Sequence, residues 1–330
     1  MMCKILVNNM NLEDGYMDDK LVSIIIPTFK RSDKLTRAIV SVLNQTYKNL
    51  EIIVVDDNDN DTTYRNEVER IMKEFQDDPR VRYIQHPYNK NGAAARNTGI
   101  NISSGSYISF LDDDDYYLPN KIGNEVEYLE TNKNYNAVYC GRYQKGKKIL
   151  PNLDGDLSEE ILLLTFTPTT PALMFRSHVL KEMKGFNENF KRHQDFELLL
   201  RYFENHEIGV IKDPLVVIGQ NEGENELHGE VLENNKKAFF KQFEEKIKKL
   251  DRENKGFEKK LYVAHYSPVF WDHVSQKKFL LAVKTYTFGI KISPVLFNVA
   301  LLKHVFRYLS YLMNRKRENN DFNKTIHTKD

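Results

Sequence analysis

The sequence lacks the features that mark secreted and membrane-spanning chains. Its 330 residues include only two cysteines, Cys3 and Cys140, so no disulfide framework is available and a reducing compartment is indicated. No apolar run reaches membrane-spanning length. The apolar stretch near the N-terminus is too short and too often interrupted by asparagine for a signal peptide. We therefore expect a cytoplasmic protein.

The chain also lacks an excess of charge of either sign. Forty-eight Lys and Arg stand against 47 Asp and Glu, which gives a formal net charge of +1. This balance argues against a nucleic-acid partner. Hydrophobic residues make up 41% of the chain, enough to bury the core of one large α/β domain with a smaller appendage. Nothing in the sequence indicates an oligomeric state.

Apolar strands alternate with helical patterns over the first third of the chain. Four compact apolar runs lie at 22–26, 52–55, 81–84 and 107–111, with amphipathic stretches between them. This alternation is typical of an α/β protein with a doubly wound, Rossmann-like, mostly parallel sheet. Ligands bind such sheets at the carboxyl ends of the strands, and there the second and fourth runs end in aspartates.

Four consecutive aspartates at 112–115 are the strongest chemical signal, because they follow the fourth apolar run directly. Several carboxylates in one place repel each other unless a cation neutralises them. A divalent cation, Mg²⁺ or Mn²⁺, that bridges the two phosphates of a nucleotide sugar would do so with oxygen ligands. The alternative is a solvated acidic turn before a helix, which the strand context disfavours.

Three further polar positions are candidates for binding or catalysis, and each has an ordinary alternative. Asp57, at the end of the second run, suits a hydrogen bond to a nucleobase or ribose, or else an Asx turn. Arg96 suits a bidentate contact with phosphate, or is incidental at the start of a helix. A carboxylate such as Asp195 can take a proton from an acceptor hydroxyl, although an ordinary helix-terminal aspartate is the better interpretation from residue chemistry alone.

Six segments in order resemble the family 2 glycosyltransferases, which have the GT-A fold. They are VSIIIPTFKR at 22–31, SVLNQTYKNLEIIVVDD at 41–57, GAAARNTGI at 92–100, FLDDDDYYLPNKI at 110–122, GFNE at 185–188 and QDFEL at 194–198. The resemblance spans about residues 21–220. Each segment alone is a weak signal, whereas six in the family's order are highly specific.

The resemblance implies a role for each matching position. The nucleotide-binding set would be Pro27, Thr28, Phe29, Arg31, Asp57, Arg96, Asp112 and Asp113. Within it, Asp57 matches the carboxylate that contacts uracil, and Asp113 the one that contacts ribose. Asp112 and Asp114 match the ends of the D-x-D motif, with Asp114 as the direct metal ligand. Asp195 matches the general base, and Gln194 stands where the family usually has Glu.

One histidine is an additional candidate metal ligand. His228 lies beyond the matched segments, and histidine is a plausible ligand for Mn²⁺. An exposed loop histidine is the simpler interpretation of the same residue.

The resemblance implies an inverting, metal-dependent hexosyltransferase. It would move a single sugar from a nucleoside-diphosphate sugar, with UDP as the expected nucleotide, to a hydroxyl of a saccharide or lipid-linked acceptor in the synthesis of a bacterial surface polysaccharide such as a capsule. No Q-x-x-R-W motif follows Asp195, which argues against a processive polymerase.

Two rival functions stay open at this point. A sugar-nucleotide pyrophosphorylase would need a glycine-rich loop after the first strand, where this sequence has PTFKR. A non-catalytic nucleotide-binding or glycan-binding module would be signalled by loss of Asp114 or Asp195, and both are present.

Composition and resemblance together predict the domain boundaries. We expect an N-terminal extension over 1–20, a GT-A catalytic domain over 21–228, a helical C-terminal region over 229–314 and a disordered tail over 315–330. Within the catalytic domain we expect a nucleotide-binding half, 21–120, and an acceptor-binding half, 121–228.

The C-terminal region is basic. Residues 273–317 contain nine Lys and Arg and no acidic residue, and Pro294 divides two helical patterns. Lys303 and Arg307 argue against a membrane span. We expect basic amphipathic helices on an anionic membrane, which would hold the protein at the inner face of the cell membrane. The alternative is a helical hairpin packed against the catalytic domain.

Overall fold

The computed structural model describes residues 20–190, 192–219 and 228–306. The chain divides into two compact units, Met1–Ile161 with Phe166–Glu222 and Leu162–Thr165 with Gly223–Asp330. All but Lys20 of the predicted N-terminal extension, and the whole predicted tail, lie outside the described residues. The predicted domain boundary after residue 228 stays a prediction.

The first unit contains a nine-stranded mixed sheet in the order β3-β2-β1-β4-β8-β6-β9-β5, with β7 paired to β6. Its strands are β1 Val22–Thr28, β2 Leu50–Asp56, β3 Val81–Gln85, β4 Tyr107–Phe110, β5 Tyr116–Tyr117, β6 Ala137–Gln144, β7 Lys147–Ile149, β8 Leu173–Arg176 and β9 Ile208–Ile218. Strands β3, β2, β1 and β4 are all parallel. Each antiparallel pair among the described strands includes a strand that follows β4. The predicted α/β fold class is confirmed.

Helices connect the strands. They are α1 Leu35–Leu43, α2 Thr63–Lys73, α3 Gly92–Ile102, α4 Lys121–Thr131, α5 Ser158–Leu162, α6 Ser177–Glu182 and α7 Gln194–Tyr202. Helices α1, α2 and α3 each lie between consecutive parallel strands, as the crossovers of a parallel sheet require.

The alternation of side chains along β2 explains why this strand is apolar throughout. Ile52 and Val54 belong to one buried cluster, whereas Ile53 and Val55 belong to another, together with Ala95 of α3. Successive side chains of a strand point to opposite faces of the sheet. Because both faces are covered, the strand cannot show the apolar-polar alternation of a half-exposed strand.

The second unit is helical. Its helices are α8 Gly229–Gln242, α9 Glu244–Glu253, α10 Phe257–Ser275 and α11 Phe279–Ile292, followed by helical residues 294–306. An aromatic cluster that includes Phe239, Phe240 and Tyr266 packs α8 against α10. Pro294 begins the last helix, as the division of the pattern predicts. In the described part of the chain, no helix is long and apolar enough to cross a membrane.

Candidate active site

The aspartates at 112–115 lie directly after β4, at the carboxyl end of the parallel strands. Asp113, Asp114 and Asp115 are buried, whereas the Asp112 side chain is 35% exposed. Burial raises the pKa of Asp113 to about 7 and that of Asp115 to about 9, and the neighbouring Asp112 charge adds to both effects. The pKa of Asp114 is also raised, first by burial and then by Asp112. Burial and mutual repulsion therefore disfavour the ionised form of these carboxyls, and a bound cation would favour it.

Arg96 joins this run to a second element. Its Nη2 lies 2.6 Å from Oδ1 of Asp112, and its Nη1 donates a hydrogen bond of 3.0 Å to Oε1 of Gln194. Asn91 caps the N-terminus of α3 by accepting hydrogen bonds from the amides of Ala93 and Ala94. A capped helix start with an arginine in its second turn suits a negatively charged group. The structure thus brings Arg96 and Asp112 together, and the predicted phosphate contact of Arg96 stays a prediction.

The loop after β1 approaches the same aspartates. The Thr28 hydroxyl donates a hydrogen bond of 2.8 Å to Asp113, and the amide of Phe29 lies 3.4 Å from the same oxygen. The guanidinium of Arg31 lies 3.2 Å from Asp114 and 3.9 Å from Asp113. Four predicted nucleotide-binding residues and one predicted metal ligand are therefore adjacent in space. Pro27, which is partly buried, precedes Thr28 in β1, and Phe29 is 36% exposed.

Asp195 lies in the first turn of α7, next to Gln194, and its side chain is only partly exposed. Burial raises the pKa of this carboxyl to about 6, although the Phe196 amide and the Arg96 charge act in the opposite direction. A carboxylate with a pKa near 6 is ionised at neutral pH and is a stronger base than an exposed aspartate. The geometry is that of a candidate general base beside the phosphate-directed arginine.

Asp57 has a different environment in this structure. It is buried, and its carboxylate accepts hydrogen bonds from the amides of Lys90 and Asn91, from the Asn89 side chain and from His86. These contacts hold the segment that precedes α3. The predicted uracil contact of Asp57 stays a prediction, and a base would have to share or replace one of these donors.

Arg37, Asp115 and Gln194 were not among the predicted site residues, yet each contacts the aspartate run or Arg96. The Arg37 guanidinium donates a hydrogen bond of 2.6 Å to the carbonyl of Asp114. The Gly219 amide donates one of 2.6 Å to Asp115, and a Cβ at Gly219 would lie 2.4 Å from the Asp114 carbonyl. The four-aspartate run was the available signal for Asp115. Gln194 is 98 residues from Arg96, and no local pattern connects the two.

The donor set fits a hard divalent cation with part of its coordination supplied from outside the protein. Oδ2 of Asp114 is buried and receives no hydrogen bond from any residue that the structure describes. Within the same residues, no three Asp, Glu, His or Cys side chains are grouped to hold a metal ion by themselves. Mg²⁺ is commonly held by one or two carboxylates together with water and substrate phosphates, and Asp112 and Asp114 match that arrangement.

His228, the additional candidate ligand, belongs to the second unit. Its Nδ1 lies 2.6 Å from Oδ1 of Asp272, and the Gly229 amide donates to the other oxygen of the same carboxylate. The side chain is 45% exposed. An Nδ1–H held by a carboxylate leaves Nε2 as the outward-facing acceptor. This tautomer suits a metal ligand, and the assignment of His228 stays a prediction.

A separate cavity lies at the opposite end of β4. It is lined by Lys20, Ser106, Tyr107, Glu130, Lys133, Arg176, Ser177, His178 and Lys181. Its central guanidinium, that of Arg176, donates to the carbonyls of Leu129 and Tyr135 and therefore has a structural role. The aspartate run follows the other end of the strand, so this cavity is distinct from the candidate active site.

The sheet order and its layers define the GT-A class of glycosyltransferase fold. A match to the family described as Glycosyl transferase family 2 covers residues 23–178. A protein of Methanocaldococcus jannaschii, named as an uncharacterized glycosyltransferase, is 32% identical over 200 residues, which cover 58% of this chain and 67% of that one. The chain belongs to glycosyltransferase family 2.

Other relatives cover less of their own length. Escherichia coli WfaP, named as a UDP-Glc:alpha-D-GlcNAc-diphosphoundecaprenol beta-1,3-glucosyltransferase, is 41% identical over 114 residues, or 34% of this chain and 43% of WfaP. WfgD of the same species, with the same named activity, is 38% identical over 39% of this chain and 47% of WfgD. The chain thus spans less than half the length of these two relatives.

Among solved structures, the chain is similar to S. aureus TarS residues 1–349 in complex with UDP-GlcNAc. The TM-score is 0.56 at 16% identity, over 86% of this chain and 91% of that one. At this identity the similarity concerns the fold.

Proposed function

We propose that this protein transfers a single sugar from a UDP-sugar to a hydroxyl of a saccharide or lipid-linked acceptor, with inversion at the anomeric carbon. The observation that carries the proposal is the connection Asp112–Arg96–Gln194, which ends beside Asp195. It joins the carboxylates expected at the diphosphate to the carboxylate expected at the acceptor. A single displacement needs the donor's diphosphate and the acceptor hydroxyl to be held in one site.

The donor's diphosphate would lie between Arg96 and the aspartate run. The Arg96 guanidinium can exchange its contact with Asp112 for two phosphate oxygens, because its planar fork matches either partner. Thr28 and Arg31 orient Asp113 from the loop after β1. The carboxylate of Asp113 is then held for the ribose contact that we expect of it.

Asp112 and Asp114 would hold Mn²⁺ or Mg²⁺ when the ion is bound. The ion would supply positive charge to the oxygens of the departing diphosphate. Arg31 must then give up its place beside Asp114, where its guanidinium lies 3.2 Å away.

Asp195 would accept the proton of the acceptor hydroxyl as that oxygen attacks the sugar. Its pKa of about 6 leaves it ionised at neutral pH yet basic enough for this transfer. A single displacement by an acceptor on the face opposite the diphosphate inverts the anomeric centre, so an α-linked donor would yield a β-linked product.

The named relatives support the finer parts of this proposal. The names of WfaP and WfgD state a UDP-Glc donor and an acceptor attached to diphosphoundecaprenol, and TarS was solved with UDP-GlcNAc. A UDP-hexose donor and a polyprenyl-linked acceptor at the membrane are therefore the first substrates to examine. Synthesis of a bacterial surface polysaccharide, such as a capsule, is the process we propose.

The test is release of free nucleoside diphosphate across a panel of UDP-, TDP- and GDP-sugars. Each donor is incubated with a lipid-linked acceptor extract and with Mn²⁺, Mg²⁺ or a chelator. The variants are Asp114→Asn and, as a matched control, Asp77→Asn, because Asp77 is an exposed carboxylate that follows α2.

We expect metal-dependent release from one UDP-sugar, its loss in Asp114→Asn and its retention in Asp77→Asn. Release that is unaffected by chelator would show that the transfer does not depend on a metal ion, contrary to the proposal. Donor binding without turnover on any acceptor would favour the non-catalytic binding module.

A further inference from the structure

The last two helices of the second unit expose an unusual amount of apolar surface. On α11, Ala282, Thr285 and Gly289 are buried, whereas residues on the other side of the helix are exposed. In residues 294–306, Phe297 and Leu301 are buried. The seven most exposed large apolar side chains of these helices are Phe279 at 64%, Leu280 at 71%, Val283 at 61%, Val295 at 71%, Val299 at 43%, Leu302 at 57% and Phe306 at 68%, whereas Phe288 and Leu296 are less exposed, at 39% and 40%. We refer to these seven side chains as the outer stripes.

The residues of the outer stripe in 294–306 recur at helical spacing. Val295, Val299, Leu302 and Phe306 recur at intervals of four, three and four residues, which places them on one side of a helix. The buried Phe297 and Leu301 occupy the opposite side. This helix is therefore apolar on two sides, one packed within its unit and one facing outward. Packing within the unit explains the buried apolar side of the helix, but it does not explain the exposed apolar side.

The charge around the outer stripes has one sign. Residues 273–306 contain five lysines, at 277, 278, 284, 291 and 303, and no Asp or Glu. Lys284, Lys291 and Lys303 are exposed. Apolar stripes on helices whose own charged side chains are all lysines complement a surface that offers both hydrocarbon and negative charge.

We propose that the outer stripes dock onto the surface of an anionic lipid bilayer. The helices would lie in the plane of the interface, with the apolar side chains among the acyl chains and the lysines at the headgroups. Within residues 279–306, which the structure describes, neither helix is long and apolar enough to span a bilayer. A second copy of this chain fits less well, because a two-fold interface would set this lysine-rich surface against itself.

The docking surface stands apart from the proposed reaction. Its purpose, to bring the active site to a lipid-linked acceptor, rests on the proposed function. The test therefore measures binding and reaction separately.

Flotation of the full-length chain with vesicles tests the docking. The vesicles contain either phosphatidylglycerol mixed with phosphatidylcholine or phosphatidylcholine alone. Three variants are compared with the wild type. The double variant Leu280→Gln with Leu302→Gln interrupts both stripes, and the double variant Lys284→Glu with Lys303→Glu reverses two charges. The control Leu150→Gln changes an exposed leucine of the first unit. Circular dichroism confirms that each variant is folded.

We expect wild type and Leu150→Gln to bind anionic vesicles at least about tenfold more tightly than neutral ones, and both double variants to lose about tenfold or more. Equal binding of wild type to the two kinds of vesicle, or unchanged binding of Leu280→Gln with Leu302→Gln, overturns the proposal. A wild-type dimer in sedimentation velocity that this double variant dissociates, without flotation, would assign the stripes to a second copy instead.

Release of nucleoside diphosphate with a water-soluble acceptor, measured on the same variants, separates the two proposals. Flotation without any release contradicts only the proposed function. Release without flotation contradicts only the docking.

Discussion

Nη2 of Arg96 lies 2.6 Å from Oδ1 of Asp112. This contact links α3 to the segment after β4, and the other terminal nitrogen of the same guanidinium reaches Gln194 on α7. The family usually has a glutamate where this chain has Gln194. The neutral amide of Gln194 accepts a hydrogen bond from Arg96 without adding a carboxylate beside Asp195.

Replacement of Gln194 by Glu tests that relationship. A second carboxylate next to Asp195 disfavours its ionised form, and pairing of Glu with Arg96 weakens the charge that lowers the Asp195 pKa. We expect the acid limb of the kcat/KM profile in Gln194→Glu to move upward by on the order of one pH unit. Steady-state kinetics between pH 5 and 9 measure the shift.

Gln194→Ala is the matched variant, because it removes the hydrogen bond without adding charge. Its acid limb is expected to stay near that of the wild type, although its rate falls. If Gln194→Ala and Gln194→Glu move the limb equally, the charge argument is wrong.

The raised pKa of Asp195 predicts the pH dependence of the wild type. A base must be ionised to accept a proton, so activity is lost as pH falls through the pKa. With a pKa of about 6, kcat/KM should fall about tenfold per pH unit below pH 6. An aspartate at its ordinary pKa would instead keep nearly full activity to about pH 5. Substitution of Asp195 by Asn should lower kcat about 10²- to 10⁴-fold with little change in donor affinity.

An acid limb that persists in the residual activity of Asp195→Asn would assign the titration to another group. Donor affinity is read from titration with UDP in the absence of acceptor, so it is independent of the chemical step.

Strands β1 and β2 of the parallel half could be predicted from sequence because they are buried on both faces. The run 22–26 lies within β1, and 52–55 lies within β2. Burial on both sides forces continuous apolar residues, which are easily recognised. Strand β7, Lys147–Ile149, pairs with β6 but shows no apolar pattern in the sequence, because an exposed edge strand needs none.

The candidate site was predictable only in part. The positions of Asp112 and Asp114 could be predicted from one local signal, because both residues closely follow an apolar strand. The partnership of Arg96 with Gln194 depends on how α7 packs, which no spacing along the chain reveals. The sequence predicted basic amphipathic helices after residue 273, whereas which side of residues 294–306 is buried depends on how Phe297 and Leu301 pack.

A buried ion pair under the aspartate run gives a stability prediction. Nζ of Lys121 lies 2.6 Å from Oε2 of Glu125, and both side chains are fully buried. Burial raises the pKa of Glu125 to about 7 despite the lysine. Removing one partner leaves an uncompensated charge, so Lys121→Met should lower the free energy of unfolding by about 3–5 kcal/mol.

The double variant with Glu125→Met should recover most of that loss, because apolar side chains of similar volume replace the buried pair. Urea titrations measure both. Lys133→Met is the control, since the exposed Lys133 pairs with Glu130 at the surface and such pairs contribute little. A double variant no more stable than Lys121→Met would show that the pair itself is required.

Close packing of α3 on β1 makes Gly99 sensitive to a single methyl group. A Cβ at Gly99 would lie 2.4 Å from Cγ2 of Ile25, inside the core, so Gly99→Ala forces side chains apart and should cost about 1–3 kcal/mol. Gly123 of α4 is a matched helical glycine whose Cβ would meet only Thr46, at 3.8 Å. Gly123→Ala should therefore stabilise the protein by up to about 1 kcal/mol, as alanine does in an open helix position. Thermal and urea unfolding of both variants, together with Ile25→Ala in the Gly99→Ala background, measure these effects. If the Ile25 substitution fails to relieve the cost of Gly99→Ala, the clash does not lie where the structure puts it, and the approach of α3 that aims Arg96 at Asp112 must differ as well.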